Sequence, residues 1–195
     1  MHTKNRKTQG DQPGVQAPHI SLPVEEDGRL HDPKIRENFI ERVFALMRWR
    51  ENLEEKPSMG RLVDFHSKNK LLIMAHSPKH YKEMGRLVAG GKETTIKKGY
   101  EHYEALLMDA LELKATIRKN SNVLFHLMGY FKKQLTSDEK QEVIDLIEQY
   151  RKEYLPLIVP ITLINHYVRK YRQSYLSMQT YLNPHPMALK LRNHV

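Results

Sequence analysis

Between Leu113 and Ser137 the chain carries no carboxylate, yet it holds Lys114, Arg118, Lys119, Lys132 and Lys133, with Asn120, Asn122, His126 and Tyr130 among them. Cations interleaved with amides and aromatic rings are the side chains that neutralise phosphates and stack on unpaired bases. Wound at about 100° per residue, the stretch puts Leu124, Leu127, Met128, Phe131 and Leu135 on one side and Lys119, Asn122, His126, Tyr130 and Lys133 on the other. A soluble helix usually mixes Glu with Lys on its wet face, because opposite charges four residues apart support it by a few tenths of a kcal/mol. This segment forgoes that support, so its polar face, with Arg118 at its start, reads as a contact surface. The reading predicts that reversing the charges of Lys119 and Lys133 together weakens binding without lowering the melting temperature.

A second stripe follows. Ile161, Ile164, Val168 and Tyr171 fall on one side of a helical stretch, with Thr162, His166, Arg169, Lys170 and Gln173 opposite. After Glu153 the chain has no further acid, five basic residues, and Tyr154, Tyr167, Tyr171, Tyr175 and Tyr181 between them. The plainer reading makes these tyrosines core and the cations solvated, and it is the stronger reading for any one tyrosine alone.

Other constellations are thinner. His76 and His80 have the spacing of two metal ligands on a helix, but Pro78 disfavours helical geometry at Ser77 and separates them. Ser77, Lys79 and His80 could hold a phosphate at a helix N-terminus; an ordinary capped helix start is the commoner explanation. Glu101 and Glu104 read as the wet face of a helix. No His-Glu-x-x-His, Gly-Lys-Ser/Thr or Gly-x-Ser-x-Gly motif occurs, so no catalytic residue, metal or cofactor is assigned.

The elements that must carry these residues are helices. Asp32-Pro33 is an N-cap followed by proline at the first helical position, leading into Ile35, Phe39, Val43 and Leu46 and ending near Glu55 before Pro57. Further helices are predicted over about 59–74, from Ser77-Pro78 to Gly90-Gly91, over 95–116 with Leu113 in its buried stripe, through the cationic segment, from a capping box at Thr136 and Glu139, and from Pro160 to Tyr171. No segment alternates with period two. The expected fold is all-α, a globular domain of about seven helices over 30–195, preceded by a disordered, proline- and glycine-bearing tail over 1–29.

Net charge is +9 at a pI of about 9.6. The first 32 residues hold four basic and five acidic side chains, so the helical part carries 28 against 18, a surplus that favours polyanionic partners. With no cysteine the chain cannot build a disulfide, a thiolate zinc site or an iron–sulfur cluster. Its apolar runs are too short or too broken by proline to span a bilayer, and the N-terminus lacks a signal core, so a cytoplasmic protein without membrane contact is expected.

The blocks KLLIMAHSPKHYKEMGRLVAGG from Lys70, NVLFHLMGYFKK from Asn122, LIEQYRKEYLPLIVPITLINHYVRKY from Leu146 and YLNPHP from Tyr181 resemble, in order, the YbgA-like family. That family is a bacterial domain of unassigned chemistry, also found fused behind a thiouracil or thiouridine desulfidase domain. The desulfidase half is missing here, as is the cysteine its cluster would need. The resemblance implies an accessory role, holding thiolated tRNA for a desulfidase partner. Relatives carry His-Thr-Asn-Val-Leu where this chain has Asn120-Ser121-Asn122-Val123-Leu124, a change that a binding face tolerates better than a catalytic site would.

Three functions are therefore weighed. The first is a non-catalytic RNA-binding domain using Arg118, Lys119, Asn122, His126, Tyr130, Lys133, His166, Arg169 and Lys170. An enzyme on a small nucleobase-derived substrate would instead require His76, His80, Asn122, His126 or His166 to converge in one pocket. A docking scaffold would expose apolar side chains beside the helix over 32–55.

Overall fold

The computed structural model describes residues 22–90, 95–189 and 191–194. Most of the expected tail, 1–21, lies outside them, as does Gly91 of the predicted glycine stop. Among the described residues the fold is all-α, with no strand. Among the described residues helical structure begins slightly before the Asp32 cap, in a 3-10 turn over Asp27–His31.

Helix α1 spans Pro33–Glu54; Asp32 accepts hydrogen bonds from the Lys34 and Ile35 amides, which satisfies two donors that a helix start leaves free. α2 is Met59–His76 and α3 is Pro78–Ala89, and the single residue Ser77 both closes the first and caps the second. α4 is Ile96–Glu112, α5 Ile117–Gly129, α6 Ser137–Arg151 and α7 Ile158–Lys170. The capping box at Thr136 and Glu139 forms in both directions. A four-residue α8, Ser174–Ser177, was not foreseen.

α2 is the central element. Leu71 through Ser77 are all buried, so the helix is covered on every side, by α3, α4 and α5 among others. Trp49 of α1 sits fully buried beside it, with ring centroids 5.0 Å from Phe65 and 5.3 Å from Tyr103. After α8 the chain crosses α2: the Thr180 amide donates to the Lys68 carbonyl at 3.0 Å and Gln179 Nε2 to the Ser67 carbonyl at 2.9 Å. This crossing buries Tyr181 and delivers a C-terminal 3-10 turn, Leu191–Asn193, onto α1.

Three local expectations are corrected. The buried line of α1 is Asn38, Glu41, Ala45, Leu46 and Trp49, rotated from the predicted stripe, and Val43 is exposed. A polar Asn and Glu occupy core positions there because partners from elsewhere in the chain satisfy them. α4 ends at Glu112 and Leu113 is exposed, since Thr116 is extended to cap α5 and the Leu113 carbonyl turns toward His76. Glu104, assigned to the wet face, is buried at the edge of the core, whereas Glu101 is exposed.

Candidate functional site

The predicted contact residues divide into two groups. At the C-terminal end of α5, exposed His126 meets Tyr130 edge to face at 5.6 Å, and Tyr130 stacks on Tyr175 of α8 at 5.5 Å with planes 28° apart. The Lys70 ammonium of α2 lies 5.0 Å over the Tyr175 ring. Burial, then the Lys70 charge, lowers the His126 pKa, and burial raises that of Tyr130. Three segments far apart in sequence thus form one aromatic and cationic patch on the surface. Tyr175 was one of the tyrosines read as interleaved with cations, whereas Lys70 was missed because it belongs to no visible stripe. Arg118, Asn122 and Lys133 are exposed on α5 or just beyond it.

Lys119 does not belong to that surface. Its ammonium donates to the His76 carbonyl at 2.6 Å and the Lys114 carbonyl at 3.0 Å, joining the end of α2 to the segment before α5, and burial lowers its pKa. The expectation that Lys119 can be charge-reversed without cost to stability is therefore replaced. On α7, His166 and Arg169 are exposed, but Lys170 is held by Glu139 at 2.5 Å, with the Tyr171 hydroxyl donating to the same carboxylate at 3.1 Å. These bonds, the Lys170 one foremost, hold the Glu139 carboxyl at about 2. The first stripe thus continues toward α2 and α8, while Lys170 is committed to α6.

At the start of α3 the Ser77 hydroxyl accepts from the His80 amide and lies 2.8 Å from His80 Nδ1, to which it can donate. Ser77 is buried and Tyr81 N bonds to the Ser77 carbonyl, so the cap's own bonds take up most of the predicted phosphate cradle; Lys79 stays exposed. Of His76, His80, Asn122, His126 and His166, His76 lines a partly open cavity beside α1 that the other four do not line.

That cavity, of about 300 Å³, opens between α1, the 113–117 segment, the end of α6 and the C-terminal turn. On its α1 wall Glu41 is fully buried. Arg192 Nη2 donates to Glu41 Oε1 at 2.7 Å, and His76 Nε2 lies 3.0 Å from Oε2. His76 Nδ1 faces the Leu113 carbonyl at 2.7 Å, so both ring nitrogens point at acceptors. Burial alone would raise the Glu41 pKa; the Arg192 charge and the His76 bond outweigh it and hold the group at about 2. One turn earlier, Glu37 has longer contacts, 3.4 Å to Arg192 Nε and 3.2 Å to His194 Nε2. Burial and the neighbouring Glu41 charge push its carboxyl up to about 8. On the far side Asn120 Nδ2 donates to the Tyr150 hydroxyl at 3.2 Å while Tyr181 donates to Asn120 Oδ1 at 3.0 Å. Burial raises Tyr150 to about 12. Two carboxyl groups four residues apart are thus pushed in opposite directions, Glu37 up and Glu41 down, an arrangement that also supports acid–base work.

Sequence reasoning did not find Glu37, Glu41, Arg192, His194 or Tyr150. A faint signal existed: Asn38, Glu41, Ala45 and Trp49 repeat at helical spacing, a line as regular as the apolar one chosen in its place.

A family model described as "Protein of unknown function (DUF1722)" matches residues 70–186. The chain belongs to this family. The "Uncharacterized protein YbgA" of Escherichia coli (strain K12) is 34% identical over 153 residues, which cover 78% of this chain and 90% of that relative. No solved structure matches. Within the family-matched span lie Lys70, His126, Tyr130 and Tyr175 of the surface patch and His76, Asn120 and Tyr150 of the cavity. Glu37, Glu41 and Arg192 fall outside it. Among the described residues no helix is long and apolar enough to cross a membrane.

Proposed function

We propose that the protein binds RNA, through a surface centred on Lys70, His126, Tyr130 and Tyr175 and flanked by Arg118, Asn122 and Lys133. The observation that carries this reading is a run of three rings, His126, Tyr130 and Tyr175, with the Lys70 ammonium over the last, two of the rings belonging to a segment without acids. Rings offer a stacking platform worth about 1–3 kcal/mol per base, and cations release counterions from phosphates. His166 and Arg169, exposed on α7, are the further side chains this reading would use. The link to a desulfidase domain that the family resemblance implies makes tRNA, thiolated or not, the first RNA to try. A polypeptide partner is the second reading, favoured by Val43 and Met47, exposed one turn apart on α1.

The test is titration of the full chain with bulk tRNA. If Lys70, Arg118, Lys133 and Arg169 each neutralise one phosphate, affinity should fall about a hundredfold between about 50 and 200 mM salt. Combined Arg118→Glu and Lys133→Glu substitutions should weaken binding with an unchanged melting temperature. Absence of binding at the lower salt, or binding indifferent to both substitutions in a folded variant, refutes the proposal.

A further inference from the structure

A second concavity, an open groove of about 540 Å³, runs between the C-terminal half of α1 and the first turns of α2, and none of the residues proposed to hold RNA lines it. Arg48 of α1 is anchored at one corner, where Nη1 donates to the Pro184 carbonyl at 2.9 Å. Its Nε and Nη2, whose N–H bonds run side by side along one edge of the guanidinium plane, are buried and have no partner among the described residues. Asn52, four residues on along the same face of α1, keeps Nδ2 buried and unpaired, and Arg61 of α2 does the same with Nε. Arg61 Nη2 donates to the Asn52 carbonyl at 3.1 Å, so the two residues adjoin. The buried side-chain atoms without a partner among the groove residues are thus all donors, each stripped of water with no acceptor in exchange. We propose that the groove binds a small organic carboxylate, seated on the Nε–Nη2 edge of Arg48.

Charge and shape select that class. Lys68 is paired with Asp64 at 2.6 Å and Arg61 with Glu55, whereas Arg48 has no carboxylate within ion-pair distance among the described residues. One positive charge therefore stays uncompensated, while the exposed Glu51 and Asp64 on the rim oppose a second negative charge on the ligand. A carboxylate carries a single charge on two coplanar oxygens, the pattern that an arginine edge grips with two parallel bonds. Asn52 Nδ2 and Arg61 Nε call for a further acceptor oxygen close by, as a 2-hydroxy or 2-oxo acid provides. Phe65 gives a short carbon chain an apolar wall, and Gly60 in the first turn of α2 adds the positive end of a helix.

The experiment uses the full chain, isotope-labelled for NMR and titrated at constant ionic strength with glycolate, glycolamide and inorganic phosphate. Glycolate should shift the Nε–H signals of Arg48 and Arg61 and the amides over 48–52 and 60–65. Glycolamide, of the same shape without the charge, should bind about tenfold more weakly, and phosphate more weakly than glycolate. Arg48→Lys keeps the charge, loses the fork and should weaken glycolate about tenfold. Asn52→Asp places a carboxylate one turn from Arg48, supplying the missing partner from within, and should abolish binding without lowering the melting temperature. The proposal is overturned if glycolate shifts nothing, if the shifts map elsewhere, if glycolamide or phosphate binds as tightly, or if either variant, folded, binds glycolate like the wild type. The wild-type titrations decide the matter even where a variant does not fold, and since they involve no RNA, their failure leaves the RNA surface untouched.

Discussion

Replacing Glu37 with Gln should make the protein more stable in mildly alkaline solution and leave it nearly unchanged in mild acid. In the folded state Glu37 releases its proton at about 8, against an ordinary 4.5. Between those values the native protein holds a proton that the unfolded chain has released, so stability falls as pH rises through the window. The slope is at most about 1.4 kcal/mol per pH unit, and three and a half units give about 5 kcal/mol as an upper bound. The carboxyl keeps 15% of its side-chain exposure, which lets water relieve part of the penalty and brings the expected change nearer 3 kcal/mol. Gln mimics the neutral acid and does not titrate. Urea unfolding of both proteins from about pH 5 to 8.5 should therefore give curves that start within about 1 kcal/mol and diverge, with the variant on top. Parallel curves would mean that Glu37 ionises near its ordinary value, and the cavity would lose its neutral carboxyl.

Two further substitutions probe the framework of the sites. Glu41→Gln leaves Arg192 buried without its nearest counter-charge and should cost about 3–5 kcal/mol at neutral pH, seen as a lowered urea midpoint; a loss below about 1 kcal/mol would show that Arg192 finds other compensation. Because the Glu41 pKa lies below its ordinary value, wild-type stability from this group is present above about 4.5 and is lost as pH falls toward 2, an acid limb that the variant lacks. Lys119→Met removes the bonds to the His76 and Lys114 carbonyls and should cost about 1–3 kcal/mol, whereas Arg118→Glu on the same helix should leave the melting temperature unchanged. Equal effects from the two would contradict the division of α5 cations into structural and exposed.

The helices were legible because their signals are local. Asp32-Pro33, Ser77-Pro78 and the Thr136/Glu139 box mark starts through bonds made within four residues, and the apolar periods of α4 to α7 need only neighbouring turns. α1 was harder. Its apolar Val43 faces solvent and its Glu41 faces the core, an inversion that no hydrophobic rule predicts, since the carboxylate's cost is offset by Arg192 from 151 residues away and His76 from 35. The end of α4 was misplaced for the same kind of reason, a backbone carbonyl recruited by His76.

For the contact surface, composition and spacing supplied the cations, the absence of acids and the faces of α5 and α7. Packing then reassigned them: Lys119 became a brace between backbone segments, Lys170 a partner of Glu139, and Lys70 and Tyr175 joined from helices without such a stripe. By itself the sequence determined an all-helical, cationic, cysteine-free chain, because propensity, capping and charge are properties of residues and their near neighbours. Only the tertiary structure decided which charges stay free, which are consumed, and that two carboxyls on one helix are pushed in opposite directions, because burial and distance between remote residues exist only after folding.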